Sequence, residues 1–413
     1  MNATSFFGSR WVTAPAGIAG AASLPAGFRE AGVAAGLKRR DALDLGLIVS
    51  DVPGTVSAAR FCDSGVLAAP VVLTRERCNL AALRAVVVNS GNANAATGEA
   101  GIEEAQRVQE AAAAALGLEP PEVAVASTGV IGVLLDGARV AANVPSLIDA
   151  LAPDATNFAH AIQTTDALDK RADLRVALSP GNVHLSAQCK GAGMISPRFA
   201  TMLCFVQTDA GLAAESVDAL LGAAVRRSFD RISVDGQLST NDTVILMASG
   251  ASGLRLEPGS ENEQRFGAAL DAVLRQLALR IVADGEGARR IACVRVRGGA
   301  QETAERVARA VANSPLVKAA LFGGDPNWGR IAQAIGAALP GRAPLSFDIA
   351  IEGVSVARDG AAQPFDRAAL IGAVGGDEVL YEIALPGDGA AEAEVFFSDL
   401  SYDYVKINAE YTT

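Results

Sequence analysis

The junction Ala200-Thr201 lies between a glycine-bearing stretch, Lys190–Pro197, and the apolar run that starts at Met202. A threonine in such a place can do one kind of chemistry that needs no histidine. At a chain's N-terminus its own α-amine acts as the base for the hydroxyl. That amine titrates at about pH 8, close enough to neutral to take a proton and return it. An internal threonine reaches that state only if the bond before it breaks. In Ala200-Thr201 the hydroxyl can attack its own preceding carbonyl, and alanine leaves room for it. On spacing alone, a threonine opening a strand is ordinarily structural.

Other nucleophile schemes are poorly supplied. The two histidines, His160 and His184, lie in no motif, and no GxGxxG or phosphate loop is present. Cys62, Cys78, Cys189, Cys204 and Cys293 are scattered without a CxxC pair, so a metal site is not expected and the thiols read as free and buried. Four polar clusters stand beside the junction. The turn Ala126–Gly132 offers backbone N–H groups around Gly129 that could hold an oxyanion. Glu286 sits between Gly285 and Gly287, where a carboxylate could face a ligand amine. The stretch Ser233–Val244 packs hydroxyls, an amide and carboxylates, and reads first as Asx and Ser/Thr turn chemistry. The segment Phe322–Ile331 reads as a packed turn at a helix start. The C-terminal Asp399–Thr413 alternates aromatics too regularly for a frayed tail.

These residues need rigid elements to hold them. Strand-like runs lie at 43–51, 65–74, 83–91, 182–190, 201–209, 242–250, 291–299 and 345–353, most of them ending in Gly or Asp. Helical periodicity is clearest at 102–118, 213–229, 262–283 and 302–313. Strands and helices do not alternate one for one. The expected class is therefore α/β of the α+β layered kind, mixed sheets covered by helices. No internal repeat or flexible linker is visible.

With 413 residues the chain exceeds one small core. Asp and Glu number 46 against 35 Lys and Arg, a net charge of −11 at pH 7. That balance argues against a nucleic-acid surface. No apolar run approaches the ~20 residues of a spanning helix, and no signal peptide is evident. A cytoplasmic protein is expected.

Taken together, the motifs resemble the ArgJ family, the glutamate N-acetyltransferase/ornithine acetyltransferases of arginine biosynthesis. The resemblance runs in order through VTAPAG, GVAAGLK, NSGNANAATG, STGVIG, KGAGMISPRFATML, RISVDGQLSTNDT, DGEGARR, FGGDPNWGRIAQAIG and DLSYDYVKINAEYTT. It implies a fold like that of N-terminal-nucleophile hydrolases. It also implies self-cleavage between Ala200 and Thr201 into an α chain 1–200 and a β chain 201–413, assembled as an α2β2 heterotetramer. Thr201 would be the nucleophile, carrying acetyl from N-acetylornithine to glutamate in a ping-pong cycle. Thr128 and Gly129 would form the oxyanion hole. Thr165 (with Thr164 as its competitor), Lys190, Thr201, Glu286, Asn408 and Thr413 would bind substrate. No cofactor is implied beyond acetyl-CoA as a co-substrate for direct N-acetylglutamate synthesis.

The pattern departs from the family's usual residues at Cys62 to Ser64, Gln237-Leu238, Ala288-Arg289 and Phe199, which bears on substrate preference. Alternatives from the same residues are a monofunctional ornithine acetyltransferase and an N-terminal-nucleophile amide hydrolase or aminopeptidase. An uncleaved amino-acid-binding protein is a further one.

Overall fold

A computed structural model describes residues 6–39, 42–196, 202–387 and 389–410. Four layers make up the first part of the molecule. A four-stranded sheet runs in the order β2 (Phe28–Val33), β3 (Leu45–Ser50), β5 (Ala85–Asn92), β6 (Val123–Val130). A six-stranded sheet runs β1 (Ile18–Gly20), β7 (Lys170–Ala177), β8 (Asn182–Lys190), β9 (Leu203–Thr208), β11 (Thr243–Ala248), β4 (Val56–Phe61). Ile48, Val86, Val88 and Ala126 of the first meet Leu203, Phe205, Ile245 and Met247 of the second, with Phe158 wedged between them. Helices 98–116 and 137–149 cover the outer face of the smaller sheet through Val108, Ala112 and Val140. Helices 214–227 and 261–283 cover the outer face of the larger one through Leu221, Leu270, Val273 and Leu277.

Strands buried on both faces explain the continuous aliphatic runs in the sequence. β3, β9 and β11 are buried at every position. Helix 261–283 is fixed at its start by Ser260, whose hydroxyl accepts from the Glu263 N–H at 3.2 Å.

A third, seven-stranded sheet has the order β10 (Ile232–Ser233), β17 (Glu392–Ser398), β12 (Ile291–Arg297), β16 (Glu378–Ala384), β13 (Asp348–Ile351), β14 (Val354–Arg358), β15 (Ala361–Ala362). Helices 301–312, 315–323, 328–338 and 367–373 pack on it around Val294, Val307, Leu321 and Ile335. Mixed sheets covered by helices are what the sequence leads one to expect.

One expected strand is a helix. Within 65–74 the chain forms helix Ala69–Arg77, with Pro70 in its first turn. Proline removes a ladder donor from a strand but suits a helix start, where its N–H would have no partner. The helix matters to the site: Thr74 Oγ1 donates to the Val125 carbonyl at 2.8 Å and accepts the Val125 N–H at 3.0 Å. It thereby steadies β6.

β8 and β9, on either side of the expected cut, are antiparallel neighbours, with Lys190 opposite Leu203. β9 in turn runs parallel to β11, with Leu203 beside Thr243. The C-terminal end of β8 and the N-terminal ends of β9 and β11 therefore share one edge of the sheet.

Candidate active site

At that edge lies a cleft lined by Thr128, Gly129, Thr164, Thr165, Lys190, Glu286 and Asn408, together with Ile131, Gly193, Met194, Ser239, Thr240 and Asn241. The structure thus brings together Thr128, Gly129, Thr165, Lys190, Glu286 and Asn408, residues remote in sequence. Both threonines of the Thr164-Thr165 pair line it. Ala200, Thr201 and Thr413 lie outside the described residues.

Thr128 and Gly129 lie near the C-terminal end of β6, just before Val130. Gly129 has φ of +137°, and a β-carbon there would sit 2.3 Å from the Gly91 carbonyl carbon on β5. Only glycine allows the two strand ends this close approach. Lys190 is the last residue of β8 and is buried, and its Nζ donates to Thr128 Oγ1 at 3.3 Å. An ammonium that occupies the lone pairs of this hydroxyl leaves its own proton free to point at a ligand.

Glu286 follows helix 261–283 in a turn pinned by its own N–H, which donates to the Ala192 carbonyl at 2.9 Å. Gly193 passes directly beneath its carboxylate. From helix Tyr402–Glu410, Asn408 Nδ2 donates to Glu286 Oε2 at 2.8 Å. That helix is tied down by Ser401, whose hydroxyl donates to the Gly287 carbonyl at 2.6 Å, and by an Arg289–Asp403 ion pair at 3.1 Å. The regular pattern of the C-terminal segment thus becomes a docked helix at the cleft.

Sequence reasoning missed the charge network behind the threonine loop. Asp166 Oδ1 accepts from Lys170 Nζ at 2.6 Å and from the Gly191 N–H at 2.7 Å, while its Oδ2 accepts the Thr164 N–H at 3.1 Å. Lys170 also pairs with Asp284, whose Oδ2 accepts the Ala167 N–H at 3.1 Å. Lys170 and Asp284 are buried. The available signal was Asp166 and Lys170 four residues apart in QTTDALDK, but that spacing alone reads as a surface helix pair. Here it locks the Thr164-Thr165 loop to the residue after Lys190.

Burial works against the charge of Asp166, yet Lys190 and Lys170 hold its carboxyl well below the usual carboxylate range. Burial likewise opposes Lys170, but Asp166 and Asp284 raise it above the ordinary lysine value. Lys190 is the less firmly charged of the two lysines. Burial pushes it down, and Asp166 only partly restores it. Lys38 is pushed down to about 8, chiefly by burial, with Lys190 adding to the effect. Its Nζ donates to the Gln163 carbonyl at 2.6 Å, which fixes the other end of the threonine loop.

The turn cluster Ser233–Val244 also serves the cleft. Asp235 accepts the Met194 and Ile195 N–H groups at 2.7 and 2.9 Å, anchoring the loop beyond Gly193. Asn241 Nδ2 donates to the Ala93 carbonyl at 2.7 Å. Ser239, Thr240 and Asn241 line the cleft beyond their turn chemistry.

A lysine near hydroxyl and N–H donors, with a carboxylate across the cleft, can hold an amino acid by both ends and polarise a carbonyl between them. Fold and cleft together define an α/β protein with a polar cleft that sets a buried lysine and hydroxyl and N–H donors across from a carboxylate. The sequence profile of the ArgJ family matches residues 29–413. An arginine biosynthesis bifunctional protein ArgJ from Symbiobacterium thermophilum is 44% identical over 401 residues, covering 96% of this chain and 99% of the relative. One of the same description from Thermus thermophilus is 44% identical, covering 95% of this chain and 100% of its own. A solved ornithine acetyltransferase from Mycobacterium tuberculosis, complexed with ornithine, is 39% identical. It covers 42% of this chain and 92% of that one, with a TM-score of 0.39. The chain belongs to the ArgJ family, and it is an N-acetyltransferase.

Proposed function

We propose that this enzyme moves acetyl from N-acetylornithine to glutamate in arginine biosynthesis through an acetyl ester on Thr201, and that it also acetylates glutamate from acetyl-CoA. The observation that carries the reading is the convergence of Thr128, Gly129, Lys190 and Glu286 on the sheet edge where β9 begins at Leu203, two residues after Thr201 in the sequence. The family membership supports it, as does the bifunctional description of the relatives from Symbiobacterium and Thermus.

Maturation begins when Thr201 Oγ attacks the Ala200 carbonyl carbon. The C–N bond breaks and the hydroxyl proton passes to the released amine, leaving an ester. Water hydrolyses that ester to the Ala200 carboxylate and a free hydroxyl. In the first half-reaction the Thr201 amine takes the hydroxyl proton as Oγ attacks the acetyl carbon. Thr128 and Gly129 donate to the oxyanion, each such donor being worth about 3 kcal/mol. Collapse expels ornithine, whose amine takes the proton. Glutamate's amine then attacks the ester, and the threonine hydroxyl is restored. Lys190 holds the substrate carboxylate, Glu286 its distal amine where one is present, and Thr165, Asn408 and Thr413 complete the binding set.

β8 and β9 stay hydrogen-bonded across the cut, so chains 1–200 and 201–413 remain one body, two copies of each forming an α2β2 assembly. No helix among the described residues is long and apolar enough to cross a membrane. The enzyme works in the cytoplasm with no bound cofactor. The test is Thr201→Ala assayed for transfer from N-acetylornithine to glutamate. Loss of both splitting and transfer is expected; a variant that still splits or still transfers acetyl rules the mechanism out.

A further inference from the structure

The Glu286 backbone is pinned at its N–H, but several side-chain torsions separate it from the carboxylate, so something further must aim that group. Among the described residues no cation pairs with it, and its side-chain donor is Asn408 at 2.8 Å. That donor stands on helix Tyr402–Glu410, which has no buried residue and depends on a few side-chain contacts. The ring of Tyr402 against Phe322, the Asp403–Arg289 pair and the Ser401 hydroxyl on Gly287 all grip the start of the helix.

Tyr404 supplies the hold nearest to Asn408. It lies one turn earlier on the same face, and the Asn408 amide also donates to the Tyr404 carbonyl at 3.0 Å. Its half-buried phenol makes a side-chain hydrogen bond to Asp235. Burial, then Asp235 and Glu286, push the phenol up to about 12, so it keeps its proton and is the donor. Asp235 is otherwise engaged with the backbone. Its Oδ2 accepts the Met194 N–H at 2.7 Å, and its Oδ1 accepts those of Ile195 and Gln237 at 2.9 and 3.1 Å. A carboxylate has about four lone-pair sites, and the phenol takes the remaining one. Met194 and Ile195 follow directly on Gly193, whose backbone lies against the Glu286 carboxylate. One aspartate therefore joins the loop under Glu286 to the helix that carries its donor, and Tyr404 is the link to the helix.

We infer that Tyr404 is a positioning residue, its hydroxyl on Asp235 holding Asn408 and Glu286 in place and so setting the enzyme's preference for substrates with a distal amine. The inference rests on Glu286 being the partner of that amine. A well-placed carboxylate attracts the ammonium of N-acetylornithine. A displaced one loses most of that attraction, because hydrogen bonds to charged groups weaken steeply with poor distance and angle. N-acetylnorvaline has the same carbon skeleton without the amine, and its binding does not depend on where Glu286 points.

The test is Tyr404→Phe, which removes one oxygen and keeps the ring, with kcat/KM measured on N-acetylornithine and on N-acetylnorvaline. Expected on N-acetylornithine is a fall of about tenfold to a hundredfold, mostly in KM, as for the loss of one hydrogen bond to a charged group. N-acetylnorvaline should change by less than about threefold. In a Glu286→Gln background the same substitution should lower kcat/KM on N-acetylornithine by less than about threefold, because the carboxylate it acts through is gone. An equal fall on both substrates, no fall on either, or a full additional fall in the Glu286→Gln background overturns the inference and leaves the reading of Glu286 standing. If Glu286→Gln itself leaves the preference for N-acetylornithine intact, that reading fails and this inference fails with it.

Discussion

Gly193 and the carboxylate of Glu286 occupy adjoining space: a β-carbon on residue 193 would lie 2.7 Å from the Glu286 carboxyl carbon. The position is glycine because the carboxylate must come down over the loop between Lys190 and Asp235's anchor points. Gly193→Ala should displace Glu286, whose flexible side chain can move at little cost to the fold. Steady-state kinetics should show KM for N-acetylornithine raised about tenfold to a hundredfold with the melting temperature nearly unchanged.

Lys190→Ala removes a buried charge from the cleft and the donor to Thr128. Loss of one partner of a desolvated charge pair costs about 2–5 kcal/mol. KM for both amino acids should rise by about 100-fold, and so should that of Glu286→Ala for N-acetylornithine. Mass analysis should still find split chains in both variants. If both fail to split, the two residues build the fold and do not bind substrate.

The two oxyanion candidates should fail differently. Thr128→Val keeps the shape of β6 and loses the hydroxyl, so kcat should fall by about 10²–10³ in a folded protein. Gly129→Ala forces a β-carbon against the Gly91 and Asn92 backbone at a φ that side chains disfavour. Circular dichroism should show that variant destabilised by more than about 3 kcal/mol.

Asp166→Asn breaks a buried network rather than a surface pair. At neutral pH it should cost about 3–5 kcal/mol in denaturant unfolding. The sign of its pH dependence follows from the depressed carboxyl. The aspartate's contribution is complete above the unfolded value of about 4 and is lost as pH falls below it. The difference between wild type and variant should therefore be full at neutral pH and shrink below about pH 4.

Much of this was legible in the chain. The run at 182–190 is β8 to the residue, and the 3.6-residue pattern of 262–283 is a helix beginning one position earlier. Glu286 between glycines does face the cleft, since the turn after a helix end exposes whatever side chain it carries. What stayed hidden has a common cause. The Asp166–Lys170–Asp284 network closes across more than a hundred residues, and no local pattern announces a contact at that separation. The helix at Ala69–Arg77 was masked by β-branched residues whose strand preference Pro70 and the packing of Leu73 override. Asp242 was read as part of a turn, because only the strand register sets its carboxyl beside Met202.

The central claim is that the chain cuts itself before Thr201 and then carries acetyl on that residue. Intact-mass measurement of the purified protein under denaturing conditions, before and after N-acetylornithine, tests it directly. The account predicts two chains, 1–200 and 201–413, with one acetyl group added to the second once substrate is present. A single chain of 42.1 kDa that gains no acetyl would contradict it.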